Sequence, residues 1–270
     1  MNMKTKYISL SVWAVLLALT MTSCDGLLNQ PPYDDFTDEE YWQNEDQART
    51  YMYGFYTSIF SGYGTGTSHG PFLMGQTLND DFASDVEQKD LTPLVVPESD
   101  GSWSFSNIRK ANYALASIDR IDATPAVKNH WRGVARFFRA CYYSNLVFRY
   151  GDVPWYDRVP KLSNNKEDMD YLYKDRDPRA FVDSCIMADF QYAMDSVREN
   201  DGPLQINRYV VAAMASRFML REGTFLKYHN IDTKLAEQCL TMAKVAAEMV
   251  MKSNKYAIAP SYNALFTSED

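Results

Sequence analysis

Apolar residues recur at helical spacing through most of this 270-residue chain, and no alternating run of strand length competes with them. Thr37-Asp38-Glu39-Glu40 reads as a capping box opening a short helix, and Asn44 caps a second with Ala48, Tyr51, Met52, Phe55 and Ile59 on one face. Helices resume near Ser104, with Ile108, Ala111, Asn112, Leu115 and Ile118 as the next face. The strongest pattern runs from Trp131 to Tyr150; its inward set is Trp131, Val134, Ala135, Phe138, Cys141, Tyr142, Leu146 and Arg149, and Gly151 is the stop signal. Another helix is expected from Asp177-Pro178, with proline at its first position. Asn207 opens a further one with Val211, Ala212, Ala215, Met219 and Leu220 inward; the last carries Leu235, Cys239, Met242, Ala246 and Val250. Between the second and third helices lies a glycine-rich loop, Gly62 to Gly75, and then residues 76–102, which lack clear periodicity. Irregular stretches of that length in compact domains are usually functional or disordered. The pattern predicts an all-α fold of stacked antiparallel helix pairs, tetratricopeptide-like, with an irregular loop region. Small residues at Ala212, Ala213, Ala215, Ala243, Ala246 and Ala247 permit the close helix approach such stacks need, although the tetratricopeptide consensus is not legible.

The first residues follow a different logic. Lys4 and Lys6 precede an apolar stretch, Ile8 to Leu19, too short for a spanning helix of roughly 20 residues. Met21-Thr22-Ser23-Cys24 then places a small residue before a cysteine and resembles the lipobox of bacterial lipoproteins. On that reading residues 1–23 are a signal peptide, Cys24 is the lipidated first residue of the mature chain, and 24–36 is a tether containing Pro31-Pro32. Multiple acyl chains anchor a soluble domain stably, as one does not. The competing reading is an ordinary secretory signal with a chance cysteine.

Charge and chemistry-bearing residues narrow the function. A formal net charge of −8 argues against nucleic acid or an anionic bilayer as a binding surface; it also suits neutral ligands better than acidic ones. Cys141, Cys185 and Cys239 fall inside helical patterns and leave an odd remainder once Cys24 is used, so free thiols are expected rather than a disulfide framework. The three histidines, His69, His130 and His229, lack a two-histidine metal spacing, and neither a metal nor a cofactor is implied. Gly66-Thr67-Ser68-His69-Gly70 matches the nucleophile-elbow motif, which works only between a strand and a helix; here Pro71 follows at once, and a chance match in a glycine-rich loop is the better account. No enzymatic activity is expected.

Five segments, in order along the chain, resemble the SusD/RagB family of outer-membrane nutrient-uptake lipoproteins: Cys24-Asp25-Gly26-Leu27-Leu28 with Pro31; Trp103 through Asn107-Ile108 to Ala111-Asn112; Arg136 to Tyr143, continuing into Arg149-Tyr150-Gly151-Asp152-Val153-Pro154; Glu222 to His229; and Ser253 to Phe266. Family members are about twice as long, so the resemblance implies that 37–270 is a SusD-like helical domain that is either C-terminally truncated or a shortened relative. It implies a lipid-anchored protein on the outer face of the outer membrane of Bacteroidota. Its partner would be a SusC-like TonB-dependent transporter, and it would capture an oligosaccharide, or in some relatives a peptide, without chemistry. A tetratricopeptide-like scaffold lipoprotein that binds only protein partners is the alternative. Sugar binding calls for flat aromatic faces with carboxylate, amide or guanidinium groups beside them. The irregular stretch supplies Tyr63, Phe72, Asn79, Asp80, Asp81 and Trp103. For the acidic pair, a solvated loop or helix cap is the competing role, and for Trp103 the core. Trp155 and Tyr156 are expected to anchor the turn after Gly151.

Overall fold

The computed structural model describes residues 41–60, 101–160 and 165–263. Its helices are α1 (Glu45–Ile59), α2 (Ser106–Ser117, running into a 3-10 turn at Ile118–Arg120), α3 (Pro125–Tyr150), α4 (Lys166–Leu172), α5 (Arg179–Ser196), α6 (Arg208–Tyr228) and α7 (Thr233–Lys252). Among the described residues there is no strand; Val153 and Asp177 form one isolated antiparallel bridge. The fold is the all-α stack of antiparallel helix pairs that the periodicity predicts, and no helix of the described residues is long and apolar enough to cross a membrane. The capping box at Thr37–Glu40 lies outside the described residues.

Local chemistry sets the helix ends. Asn44 accepts from the Gln47 amide at 3.1 Å while Gln47 Oε1 accepts from the Asn44 amide, a reciprocal cap that satisfies two donors. Asn207 accepts from the amides of Tyr209 and Val210, and Asp232 from that of Leu235. α3 begins earlier than its apolar stripe, at Pro125 behind the Thr124 cap, and ends where Gly151 turns left-handed at φ 73°. Pro178 sits one position outside α5, not inside it. The cap there comes from the preceding turn: Asp152 Oδ1 accepts from the Arg179 amide at 2.8 Å.

α3 is the central element, flanked by α1 and α2 on one side and α5 and α6 on the other. Phe138 stacks on Phe55 of α1 at 5.0 Å, while Phe137 meets Phe190 of α5 at 6.3 Å. Burying each such ring contributes about 2–3 kcal/mol. Two-sided burial explains why the single inward stripe read from the sequence is incomplete. Phe137, Arg139 and Tyr143 are buried, Tyr142 is only half-buried, and Arg149 is exposed and donates to Ser102 Oγ. Leu220, expected inward, is exposed as well. Glycines allow the closest approaches. A Cβ on Gly133 would lie 2.8 Å from Val197 Cγ2, and one on Gly223 would lie 2.8 Å from Leu240 Cγ and 3.1 Å from the Ala236 carbonyl oxygen.

A charged clamp ties α1 to the α5–α6 connection. Arg198 bridges Glu45 and Asp201 at 2.7 Å each, and Arg49 donates to Asp201. Burial alone would raise the Asp201 carboxyl, but the hydrogen bonds from Arg49 and Arg198 outweigh it and hold it below the usual range. Behind them His130 is fully buried, and burial pushes its pKa down to about 4, so the ring is neutral. Its Nδ1 accepts from the Arg198 amide at 3.2 Å, which places the proton on Nε2, 3.5 Å from Asp201.

Candidate ligand-binding site

A buried polar network sets the position of the chain after α3. Arg139 reaches across to α5 and donates in a fork to Asp189, at 2.7 Å and 2.8 Å, both side chains being buried. Its third donor reaches Asn112 Oδ1 at 2.8 Å, and the Asn112 amide donates to the Tyr156 carbonyl at 2.8 Å. Tyr143 completes the hold: its hydroxyl accepts from the Tyr156 amide at 2.5 Å, and burial raises its pKa so that it stays a phenol. Trp155 packs on the Tyr143 ring at 4.2 Å, with the Arg139 guanidinium 5.1 Å from the indole. These contacts give Trp155 and Tyr156 an anchoring role.

Five rings then line up along one edge of the molecule. Tyr150 meets Trp103 at 4.9 Å, Trp103 meets Phe105 at 5.4 Å, Phe105 meets Tyr156 at 5.3 Å and Tyr156 meets Tyr171 at 5.4 Å. All four contacts are edge-on, the favoured arrangement for ring quadrupoles, and every ring stays partly exposed. Trp103 is 38% exposed, so it is not the core residue that its helix-preceding position suggests; the Arg176 guanidinium lies 4.7 Å from its ring. Chain connectivity explains this: Trp103 precedes α2 and packs against the last turn of α3 rather than between helices.

Beside this run lies a cleft of about 360 Å³ walled by Phe105, Ile108, Tyr156, Pro160 and Leu172, with Asn112 also lining it and Arg109 and Arg158 bearing the charge. Its outer wall is pinned by the Tyr156 hydroxyl, which donates to the Leu172 carbonyl at 2.9 Å, and by the Tyr171 hydroxyl, which accepts from the amides of Asp157 and Arg158 at 3.0 Å and 3.1 Å. A smaller hollow of about 210 Å³ on the other side of Ile108 is lined by Ser102, Asn107, Tyr142, Asn145, Arg149 and Tyr150. Aromatic walls with a few polar groups at their edges are what a ligand pocket of this size presents. Of the residues singled out from sequence, Trp103 stands at the head of the aromatic run; Tyr63, Phe72, Asn79, Asp80, Asp81, Ser68 and the lipidation residue Cys24 lie outside the described residues. Phe105, Tyr150, Tyr171, Arg109 and Arg158 went unassigned from sequence. The only signal for them was the ring density around residues 103–105 and 155–156.

Two of the thiols and two of the carboxyls are closed off from solvent. Cys141 and Cys239 are buried free thiols, and burial raises both, Cys239 to about 12. Glu222 and Asp183 are fully buried between α5 and α6. Glu222 takes both nearby cations, Arg179 at 2.5 Å and Arg221 at 2.9 Å. Asp183 has only the Arg179 Nε at 3.8 Å, and neither of its oxygens has a hydrogen-bond partner. Burial first, and then the Glu222 charge, push its pKa up to about 8. Glu222-Gly223 thus serves packing, not a ligand.

No family model matches the chain. In sequence it is 22% identical over 243 residues to the SusD-like protein P38 of Formosa agariphila, a match covering 82% of this chain and 47% of that protein. In structure it is similar to a SusD-like carbohydrate binding protein from Bacteroides fragilis, with a TM-score of 0.58 at 17% identity over 83% of this chain and 44% of the other. A laminarin binding SusD-like protein matches with a TM-score of 0.55 at 15% identity over 84% and 49% of the two chains. The chain therefore spans about half the length of the curated relative it matches. In sequence along most of its length, and in its helical fold, this chain is similar to SusD-like proteins.

Proposed function

We propose that this protein is a surface-exposed lipoprotein that captures oligosaccharides and presents them to a SusC-like TonB-dependent transporter. The reading rests on the partly exposed run Tyr150–Trp103–Phe105–Tyr156–Tyr171, set in a fold shared with relatives named for carbohydrate and laminarin binding. Open aromatic edges and faces suit the C–H faces of sugar rings, and the guanidinium and amide groups beside them suit hydroxyls. The protein binds without reacting; it forms no covalent intermediate and holds a ligand near the transporter mouth. Acyl chains on Cys24 would hold the helical domain at the outer leaflet, and the irregular stretch with Tyr63, Asn79, Asp80 and Asp81 would add further contacts to the same ligand.

Isothermal titration of the full chain against a panel of oligosaccharides tests this. Binding of at least one panel member is expected, with Tyr156→Ala and Trp103→Ala each weakening it about tenfold, roughly 1.4 kcal/mol. Failure to bind any sugar, with protein partners captured instead, would favour a scaffold function and end the glycan reading.

A further inference from the structure

We infer that the Phe105–Tyr156 cleft receives an acidic sugar unit, whose anionic group sits at Arg109 and Arg158 while its ring lies against the aromatic wall. This rests on the glycan-capture reading above and adds the class of sugar.

The local charge is the opposite of the overall one. The chain as a whole carries −8, yet the lining of this cleft holds two guanidinium groups and no carboxylate. Arg109 makes no ion pair and no side-chain hydrogen bond among the described residues; its backbone amide donates to the Phe105 carbonyl. The Arg158 guanidinium stacks on the Tyr171 ring at 4.5 Å, and its ion-pair partner is Glu167 at 3.8 Å, a carboxylate 83% exposed at the rim. An exposed pair of that length contributes little and yields readily to a better acceptor. The N-terminus of α2 reinforces the pattern. Ser106 lines the cleft, α2 has no side-chain hydrogen bond from its N-cap residue, Phe105, and no acidic residue stands in its first turn. The Ser104 hydroxyl accepts from the Ser106 amide at 3.4 Å, but no carboxylate offsets the positive end of that helix dipole, one turn before Arg109. Low-dielectric aromatic walls around two cations concentrate the field within the cleft. A guanidinium fork matches the planar oxygens of a carboxylate or the oxygens of a sulfate better than it matches a single hydroxyl. A uronate and a sulfated sugar share this chemistry, and the titration separates them.

The test is isothermal titration of the full chain with an oligogalacturonate, with its methyl ester, which keeps the ring and removes the charge, and with a sulfated galactan oligosaccharide beside its desulfated form. A charged form is expected to bind about tenfold tighter than its neutral counterpart at about 50 mM salt, with the advantage shrinking at about 500 mM. Arg109→Gln and Arg158→Gln are expected to remove that advantage, each weakening the charged form about tenfold more than the neutral form. Whichever anion shows the larger advantage identifies the group that the cleft is built for. Equal binding of charged and neutral forms overturns the inference, as does an equal loss for both in the glutamine variants. In either case a loss on Tyr156→Ala would keep the glycan reading intact, whereas no binding of any of the four sugars removes both.

Discussion

Replacing Asp183 by asparagine should stabilise the protein, and more so as pH rises. The carboxyl is fully buried, and neither oxygen is hydrogen-bonded. The charged groups facing it are Arg179 from its own helix and Glu222 and Arg221 from α6, with the Cys239 thiol of α7 also within electrostatic reach. Glu222 already engages both arginines, so the field at Asp183 does not repay its desolvation, and its pKa rises from 3.8 to about 8. The folded state therefore keeps a proton that the unfolded chain releases, and stability falls as pH rises between about 4 and about 8. At about 1.4 kcal/mol per pH unit the full contribution is roughly 5 kcal/mol, an upper figure that relaxation of the site reduces to about 2–4 kcal/mol. An asparagine stays neutral throughout. Urea unfolding of Asp183→Asn and wild type at pH 4.5 and pH 8.5, extrapolated to water, gives the difference at each end. The stability advantage of the variant should grow by about 2–4 kcal/mol across the interval. A difference that stays constant within about 0.5 kcal/mol would refute the account of Asp183 as a carboxyl without compensation.

Arg139→Ala should cost about 3–5 kcal/mol in urea unfolding, because it leaves the buried Asp189 carboxylate without its fork; the double change Arg139→Met with Asp189→Leu should cost less than the single one, since no charge is then left stranded. Gly223→Ala should lower stability by about 1–3 kcal/mol, because its methyl group would sit 2.8 Å from Leu240 Cγ and 3.1 Å from a backbone oxygen. Adding Leu240→Ala should restore part of that loss, and a thermal melt showing no shift for Gly223→Ala would contradict the close approach.

The helices could be read from sequence wherever one apolar stripe meets a chemical stop. Asn44 and Asn207 cap, Gly151 ends α3, and α7 buries Leu235, Cys239, Met242 and Ala246 as its stripe demands. Reading failed where a helix is enclosed on more than one side. α5 buries Asp183 and Asp189 together with Ile186 and Phe190, so its polar positions give no hint of which face is inside. α4 has seven residues, too few to show a period. The cleft was harder still. Phe105 and Tyr156 touch only because the chain returns over α2 after Gly151, and no periodicity records a meeting of residues so distant in sequence. Whole-chain charge is equally blind to position, because a total cannot reveal two arginines gathered on one wall.

The bridge between Val153 and Asp177 has a consequence for how such a protein diversifies. At that neck the Asp177 amide donates to the Val153 carbonyl, the Asp177 carboxylate accepts from the Trp155 amide, and Asp152 caps α5 just beyond. The two ends of the excursion are cinched together, so the register of α3 against α5 does not depend on what the excursion contains. Tyr156, Arg158, Tyr171 and Leu172 all lie within it. Descendants of such a chain can exchange side chains there, or lengthen the segment, without remaking the frame that carries it.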